Sequence, residues 1–256
     1  MKKIFFWLTL IVGIIAVMGA CKSSDDSSTA ATATCAGMTV EAVTCLDTPA
    51  GSITGIDNST WSGVYDKYHA FGIAGTAGFD NTTGCISSAA LVAVLGGPTG
   101  TASVIANRAV TSSSSIAHRF KYYSDTSCST EIATISFGMT DVTVGDNVTG
   151  LSTSVDGSTY PSSATKVEHT KSCVKMKGST AAGVTYLDNL FSGSLDIEAG
   201  TEYNCQNSGD KEYFLINVWD TSALSVGTDS ILYVEESDSA YPTDWTDDAD
   251  TITKLP

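Results

Sequence analysis

The side chains most capable of chemistry are carboxylates close to the C-terminal end of the chain. Ten Asp and Glu residues lie between Glu212 and Thr253, with no Lys or Arg among them. The densest group consists of Asp244, Asp247, Asp248 and Asp250. Clustered oxygen ligands suit Ca²⁺, which takes roughly six to eight of them. These four aspartates are therefore a candidate calcium site, and a solvated loop of mutually repelling charges is the alternative.

The same carboxylates permit a second kind of chemistry. Glycosidases use a pair of carboxyl groups as general acid and nucleophile. A secreted-type hydrolase with acidic site residues is therefore an alternative function. The Gly-x-Ser-x-Gly elbow of many serine hydrolases does not occur in the sequence.

Three histidines are the other side chains that commonly bind metals or transfer protons. His69, His118 and His169 lie 49 and 51 residues apart, and neither His-x-His nor HExxH spacing occurs. The spacing therefore does not predict a zinc site. We expect these histidines on solvent-facing positions of strands, as the polar sequence Glu168-His169-Thr170-Lys171 indicates.

The N-terminal segment has the parts of an export signal. Lys2 and Lys3 precede an uncharged run of seventeen residues, 4–20, which ends in Gly19-Ala20 before Cys21. A basic start, an apolar run and small residues are typical of a cleaved signal peptide, so we expect residues 1–20 to be removed. An uncleaved membrane anchor is the alternative, because this length reaches the lower limit for a spanning helix.

Met18-Gly19-Ala20-Cys21 resembles the lipobox of bacterial lipoproteins. The resemblance implies that Cys21 becomes the first residue and carries acyl chains that anchor the protein in the cell envelope. In this family an aspartate after the cysteine favours the inner membrane, whereas Lys22 stands here and indicates the outer membrane. Residues 22–34 are mostly Ser, Thr and Ala, too polar and small to fold, and are predicted to be a flexible tether.

The cysteine count agrees with a lipidated Cys21. The chain has seven cysteines, and an odd number in an exported protein leaves one over. The six disulfide candidates are Cys35, Cys45, Cys85, Cys128, Cys173 and Cys205. Disulfides persist in the oxidising envelope. Sequence alone leaves the pairing open, and we expect neighbours to pair, including Cys35 with Cys45 and Cys173 with Cys205.

The charge of the chain disfavours several classes of partner. Its formal net charge is −15, which opposes binding to nucleic acid and to anionic lipid surfaces. Arg108 and Arg119 are the only arginines, so the capacity to bind phosphate bidentately is small.

Residues 35–256 are predicted to form a single β domain. Thr, Ser, Val and Gly dominate this region, and runs of helix-forming residues are missing. Alternating patterns predict strands at Met38–Val43, Trp61–Tyr65, Ile86–Leu95, Ser103–Val110, Ala117–Tyr123, Glu131–Phe137, Val142–Val144, Lys166–Met176, Tyr213–Trp219 and Ser230–Glu235. Helical spacing of Val184, Leu187 and Leu190 predicts one helix over Ala181–Phe191. We expect an all-β fold, an antiparallel barrel or a β-sandwich, with at most one short helix.

Three short segments resemble lipocalin-like domains of bacterial envelope proteins. They are Thr60-Trp61-Ser62-Gly63, Phe120–Cys128, and Ile231–Glu235 with the following Tyr241-Pro242-Thr243. The resemblance covers roughly residues 56–256 and implies an antiparallel barrel whose interior holds a small apolar ligand.

These features predict a lipid-anchored binding or interaction protein of the cell envelope without catalytic activity. It would face the periplasm or the cell surface. Its expected partners are the membrane, through the anchor, and an unidentified protein or a small apolar ligand. The alternatives are the hydrolase described above and a structural surface component stabilised by Ca²⁺ as its cofactor.

Overall fold

The structure is a computed structural model. It describes residues 45–56, 59–66, 78–80, 82–155, 157–193, 195–219, 231–247 and 249–255. The predicted signal peptide and tether therefore lie outside the described residues. So do the predicted strand Met38–Val43, Cys21, Cys35 and His69.

Strands make up most of the described chain. They are β1 (Ser52–Ile56), β2 (Ser59–Ser62), β3 (Val64–Asp66), β4 (Phe79–Asp80), β5 (Cys85–Ile86), β6 (Ser103–Ser112), β7 (Ser115–Tyr123), β8 (Glu131–Thr149), β9 (Ser154–Val155), β10 (Ser158–Thr159), β11 (Ser163–Gly178), β12 (Glu202–Gln206), β13 (Lys211–Trp219), β14 (Ile231–Ser237) and β15 (Asp250–Lys254). Two helices lie among them, α1 (Ala89–Leu95) and α2 (Ala181–Leu190). The predicted all-β class is confirmed.

Helix α1 corrects two expectations. The strand predicted over Ile86–Leu95 is wrong, because β5 ends at Ile86 and the helix follows. The expectation of at most one helix is wrong for the same reason. The run Ala-Ala-Leu-Val-Ala-Val-Leu is apolar at every position, so it fits either period, and Ala and Leu favour a helix. In the structure Val92 is buried while Ala89 and Ala90 are exposed.

Most strands belong to one antiparallel sheet. The order of neighbours is β3-β15-β14-β13-β11-β8-β7-β6-β5-β4, and β12 also pairs with β11. At the end of this order β3 bonds to both flanks of the sheet, through two residue pairs with β15 and three with β6. This junction has far fewer residue pairs than the ladders along β8 and β11. The architecture is therefore closer to a β-sandwich than to a closed barrel.

The long central strands β8 and β11 span 19 and 16 residues and connect two hydrophobic clusters on the same face of the sheet, here called the inner face. The hairpin cluster packs the β1–β2 hairpin against the inner face; its members are Ile53, Ile56, Trp61, Val110, Ile116, Met139, Val167, Phe214, Ile216, Val218 and Val234. The helix cluster packs α1 and α2 against the other half of these strands, with Val92, Val104, Tyr122, Ile135, Val174, Met176 and Leu187 among its members.

Helix α2 confirms the helix predicted from Val184, Leu187 and Leu190. Its N-terminal cap is Thr180, whose side chain accepts a hydrogen bond from the Gly183 backbone N–H at 3.2 Å. Leu187 is fully buried in the helix cluster. The helix lies close to β8, because a Cβ at position 183 would fall 2.1 Å from the Ile132 carbonyl oxygen.

The disulfides differ from the expected pairing of neighbours. Cys45 bonds to Cys173 and Cys85 bonds to Cys128, so the predicted pairs Cys35–Cys45 and Cys173–Cys205 are wrong. Strand register explains the second error. Cys205 lies opposite Val174, and residues opposite each other share a face, so Cys173 and Cys205 point to opposite sides of the sheet. Cys205 is also disulfide-bonded.

Candidate functional site

Between the two hydrophobic clusters, the inner face carries a layer of ionisable side chains that we call the charged belt. Its members are Arg108 on β6, His118 on β7, His169 and Lys171 on β11, Glu212 on β13 and Glu236 on β14. All are buried except Glu236, which is nearly so. Ionisable groups are seldom buried without partners, so this layer is the strongest candidate for a functional site.

Strand alternation places these polar residues on the inner face. Along β11, Val167, His169 and Lys171 are buried while Lys166 and Glu168 are partly exposed. Val167 belongs to the hairpin cluster. A register shift after Lys171 then lets Val174 face the helix cluster. The belt therefore occupies the gap between two apolar groups on one strand.

Lys171 and Glu212 form the centre of the belt. The Lys171 Nζ lies 2.7 Å from Glu212 Oε1 and 3.0 Å from Asp238 Oδ1. The Asp238 side chain is 65% exposed, so this chain of contacts runs from solvent to the buried carboxyl. On the other side of the belt, the Arg108 guanidinium pairs with Glu236.

His169 faces Glu212 across the β11–β13 ladder, in which the two residues lie directly opposite each other. Its Nε2 is 3.3 Å from Glu212 Oε2. The imidazole also packs edge-on against Phe214, with ring centroids 4.5 Å apart, and the Arg108 guanidinium lies over the same Phe214 ring. Within the described part of the chain, neither ring nitrogen of His169 has a partner with hydrogen-bond geometry.

Burial is the largest influence on the pKa values of Glu212 and His169. It raises the pKa of Glu212 to about 7, with a further contribution from the charge of Glu236 and opposition from Lys171. Burial likewise lowers the pKa of His169 to about 3, helped by the positive charges of Arg108 and Lys171. For Lys171 burial acts against the charged form, but Glu212 and Asp238 outweigh it and raise its pKa.

The expected position of the histidines is therefore wrong for two of the three. His118 and His169 are 4% and 1% exposed. On β7, His118 shares its face with Ile116, Phe120 and Tyr122, an apolar pattern that predicts a buried face. A signal was present in Val167-x-His169-x-Lys171, where an apolar residue shares the face of the histidine.

Of the four aspartates proposed for calcium, the structure describes the side chains of Asp244 and Asp247. The carboxylate of Asp244 accepts hydrogen bonds from the Ser152 backbone N–H and hydroxyl and from the Trp245 backbone N–H, and these lower its pKa. Asp247 is exposed, and Asp250 begins β15 opposite Val234. Asp248 lies outside the described residues. Among the residues that the structure does describe, no group of three or more His, Cys, Asp or Glu is arranged to hold a metal ion.

Asp244 holds the segment after β14 against the turn after β8 through its hydrogen bonds with Ser152. Trp245 beside it is buried, stacks on Tyr160 and donates its Nε1–H to the Pro161 carbonyl at 2.7 Å. Glu235 accepts hydrogen bonds from the backbone N–H and hydroxyl of Thr246. These carboxylates therefore take part in holding a loop in place.

No protein-family model and no curated protein matches this chain. In the ranges that the structure describes, neither helix has the length and apolar character needed to cross a membrane. The fold and the site thus define an antiparallel β protein with a charged layer between two hydrophobic clusters.

Proposed function

We propose that this chain is a lipid-anchored binding or interaction protein of the cell envelope. The observation that supports the proposal is the state of its cysteines. The described residues contain five of the seven, and all five are disulfide-bonded. Such extensive pairing favours an oxidising compartment outside the cytosol.

The pairing also leaves one cysteine over. Cys45, Cys173, Cys85 and Cys128 bond among themselves, so the partner of Cys205 lies outside the described residues. The cysteines there are Cys21 and Cys35. One of them completes the bond to Cys205, and the other is available for a different modification. Cys21, which follows the lipobox-like residues, is the one we assign to lipidation.

The start of the domain is suited to receive a tether. The Cys45–Cys173 disulfide attaches it to the central strand β11. Asp47 adds two contacts: its carbonyl accepts from Arg119 Nη1 at 2.8 Å, and its carboxylate pairs with Lys175 at 3.2 Å. A chain anchored at Cys21 would therefore be attached to a strand in the middle of the sheet rather than to an edge strand.

Binding rather than catalysis is the activity that we propose for the domain. Glu212 is the described carboxyl group whose raised pKa best suits a general acid. Its side chain is only 5% exposed, and Lys171 lies between it and the exposed Asp238. A hydrolase needs such a group in contact with its substrate. The formal net charge of −15 and the proposed anchor are the features that remain for function, and a charged protein held at a membrane is suited to recognising a partner.

The anchor is tested by expressing the full chain in a bacterial host and measuring the intact mass of the product in the membrane fraction. We expect a mature protein that begins at Cys21 and carries acyl chains, because the residues before it supply the cleavage signal. Cys21→Ala should remain unprocessed. Cys35→Ala is the matched control, since it should keep the acyl chains. An unmodified Cys21, or a product that retains residue 1, would refute the proposal.

A further inference from the structure

His169 and Glu212 form a buried pair with two possible sites for one proton. They lie opposite each other on β11 and β13, with 3.3 Å between Nε2 and Oε2. The His169 side chain is fully buried and that of Glu212 nearly so. In such surroundings a charged carboxylate and a charged imidazole each require a compensating charge.

Compensation for Glu212 is limited because Lys171 is shared. The single positive charge of Lys171 contacts two carboxylates, Glu212 and Asp238. Glu236 on β14 adds negative charge nearby and pairs with Arg108 of β6. Arg108 and Lys171 in turn disfavour a positive charge on His169. On β7, His118 lies opposite Arg108 in the β6–β7 ladder.

We propose that His169 and Glu212 are a proton-binding site that holds one proton as a unit, on the Glu212 carboxyl, and that Lys171 and Asp238 connect this site to solvent. The raised pKa of Glu212 and the lowered pKa of His169 agree with that position of the proton. The proposal concerns the belt alone and does not depend on the lipid anchor.

The pair predicts two opposite effects of pH on stability. The pKa of Glu212 is raised from 4.5 to about 7. The folded state therefore keeps a proton that the unfolded state has lost, and stability falls as pH rises through this window. The pKa of His169 is lowered from 6.5 to about 3. Here the unfolded state binds the extra proton, and stability rises with pH.

These effects offset each other where the windows overlap, between pH 4.5 and 6.5. Folded protein holds the proton on Glu212, unfolded protein holds it on His169, and no net proton is exchanged. Removing either member exposes the effect of the other. Each single variant should therefore change the folding equilibrium constant, relative to the original protein, by up to about tenfold per pH unit.

The test measures denaturant unfolding of purified full-length protein, with disulfides intact, at several pH values in this window. Relative to the original protein, Glu212→Gln should gain stability as pH rises, and His169→Gln should lose it. The double variant should return to the original slope. Glu168→Gln is the matched control: Glu168 is the neighbour of His169 on the opposite face, pairs with Lys211 and has a lowered pKa, so its slope should not change in this window.

The proposal is overturned if both single variants change the slope in the same direction, or if neither changes it. Infrared spectroscopy gives an independent measurement if a variant does not fold. At pH 6 the original protein should show the carbonyl band of a buried protonated carboxyl group, and this band should disappear above pH 8, on the far side of the Glu212 pKa of about 7. A band that is absent at pH 6 would also overturn the proposal.

Discussion

At the scale of single residues, Trp61 is the largest side chain that the hairpin cluster buries completely. Its Nε1 has no hydrogen-bond partner in the described part of the structure. The contribution of Trp61 to stability is therefore apolar contact, without a compensating polar interaction for the indole N–H.

Substitutions at Trp61 should separate the effect of its apolar contacts from the effect of its unpartnered indole N–H. Trp61→Ala leaves a cavity and should lower the free energy of unfolding by about 3–5 kcal/mol. Trp61→Phe keeps most of the contact and removes a buried donor that lacks a partner, so it should cost much less. Leu46→Ala is the control, because Leu46 is 49% exposed. Denaturant unfolding measures all three, and equal losses for Phe and Ala would contradict this account.

The partners of the belt residues could not be predicted from the sequence. An alternation of polar and apolar residues predicts a strand with a buried apolar face, but it does not say which partners an ionisable residue on that face will have. His169 is buried because Glu212, forty-three residues away in sequence, lies across the ladder and because Phe214 covers the ring. Both facts depend on which strands are neighbours, and this pairing is decided by the whole sheet.

At the scale of elements, the close approach of β8 and β11 depends on Gly138. This glycine lies opposite Cys173. A Cβ at its position would fall 2.4 Å from the Cys173 sulfur and 2.7 Å from the Cys45 sulfur. The absence of a side chain on β8 thus provides the space in which the disulfide lies.

Gly138→Ala should therefore prevent the Cys45–Cys173 bond or force its sulfurs to move. We expect two additional free thiols per chain in a thiol-labelling assay read by intact mass. Gly145→Ala is the matched control on the same strand, since its Cβ would meet neighbours only at 3.4 Å or more. Normal disulfide formation in Gly138→Ala would show that the strands adjust without loss.

Sequence predicted the elements unevenly for a physical reason. Strand β11 is recognisable because buried and partly exposed residues alternate along most of its length. The strands β3, β4, β5, β9 and β10 have only two or three residues, which is too short for a period to be seen. The uniformly apolar α1 has no period that distinguishes a helix from a buried strand.

At the scale of the whole molecule, the two disulfides whose cysteines the structure both describes enclose loops of different length. Cys45 and Cys173 are 128 residues apart, whereas Cys85 and Cys128 are 43 apart. A longer loop loses more chain entropy on closure, so its cross-link restricts the unfolded state more strongly.

Removing the disulfide that closes the longer loop should therefore destabilise the protein more than removing the disulfide that closes the shorter one. Loop entropy predicts that the double variant Cys45→Ala/Cys173→Ala loses about 1 kcal/mol more than Cys85→Ala/Cys128→Ala. Denaturant unfolding of both double variants, compared with the original protein, measures the difference. A larger loss for the shorter loop would indicate that contacts in the folded state outweigh the entropy of the unfolded chain.

The short strand β3 also has a consequence for how the protein is made. Tyr65 of β3 pairs with Lys254 of β15, which is made much later than β3 and β6. As the chain is synthesised, β3 can pair with β6 early, but its other edge stays unpaired until β15 has been made. Until then the edges of β3 and β14 that will receive β15 are open to other chains. The interval before β15 is made is therefore a period of exposure to misassembly.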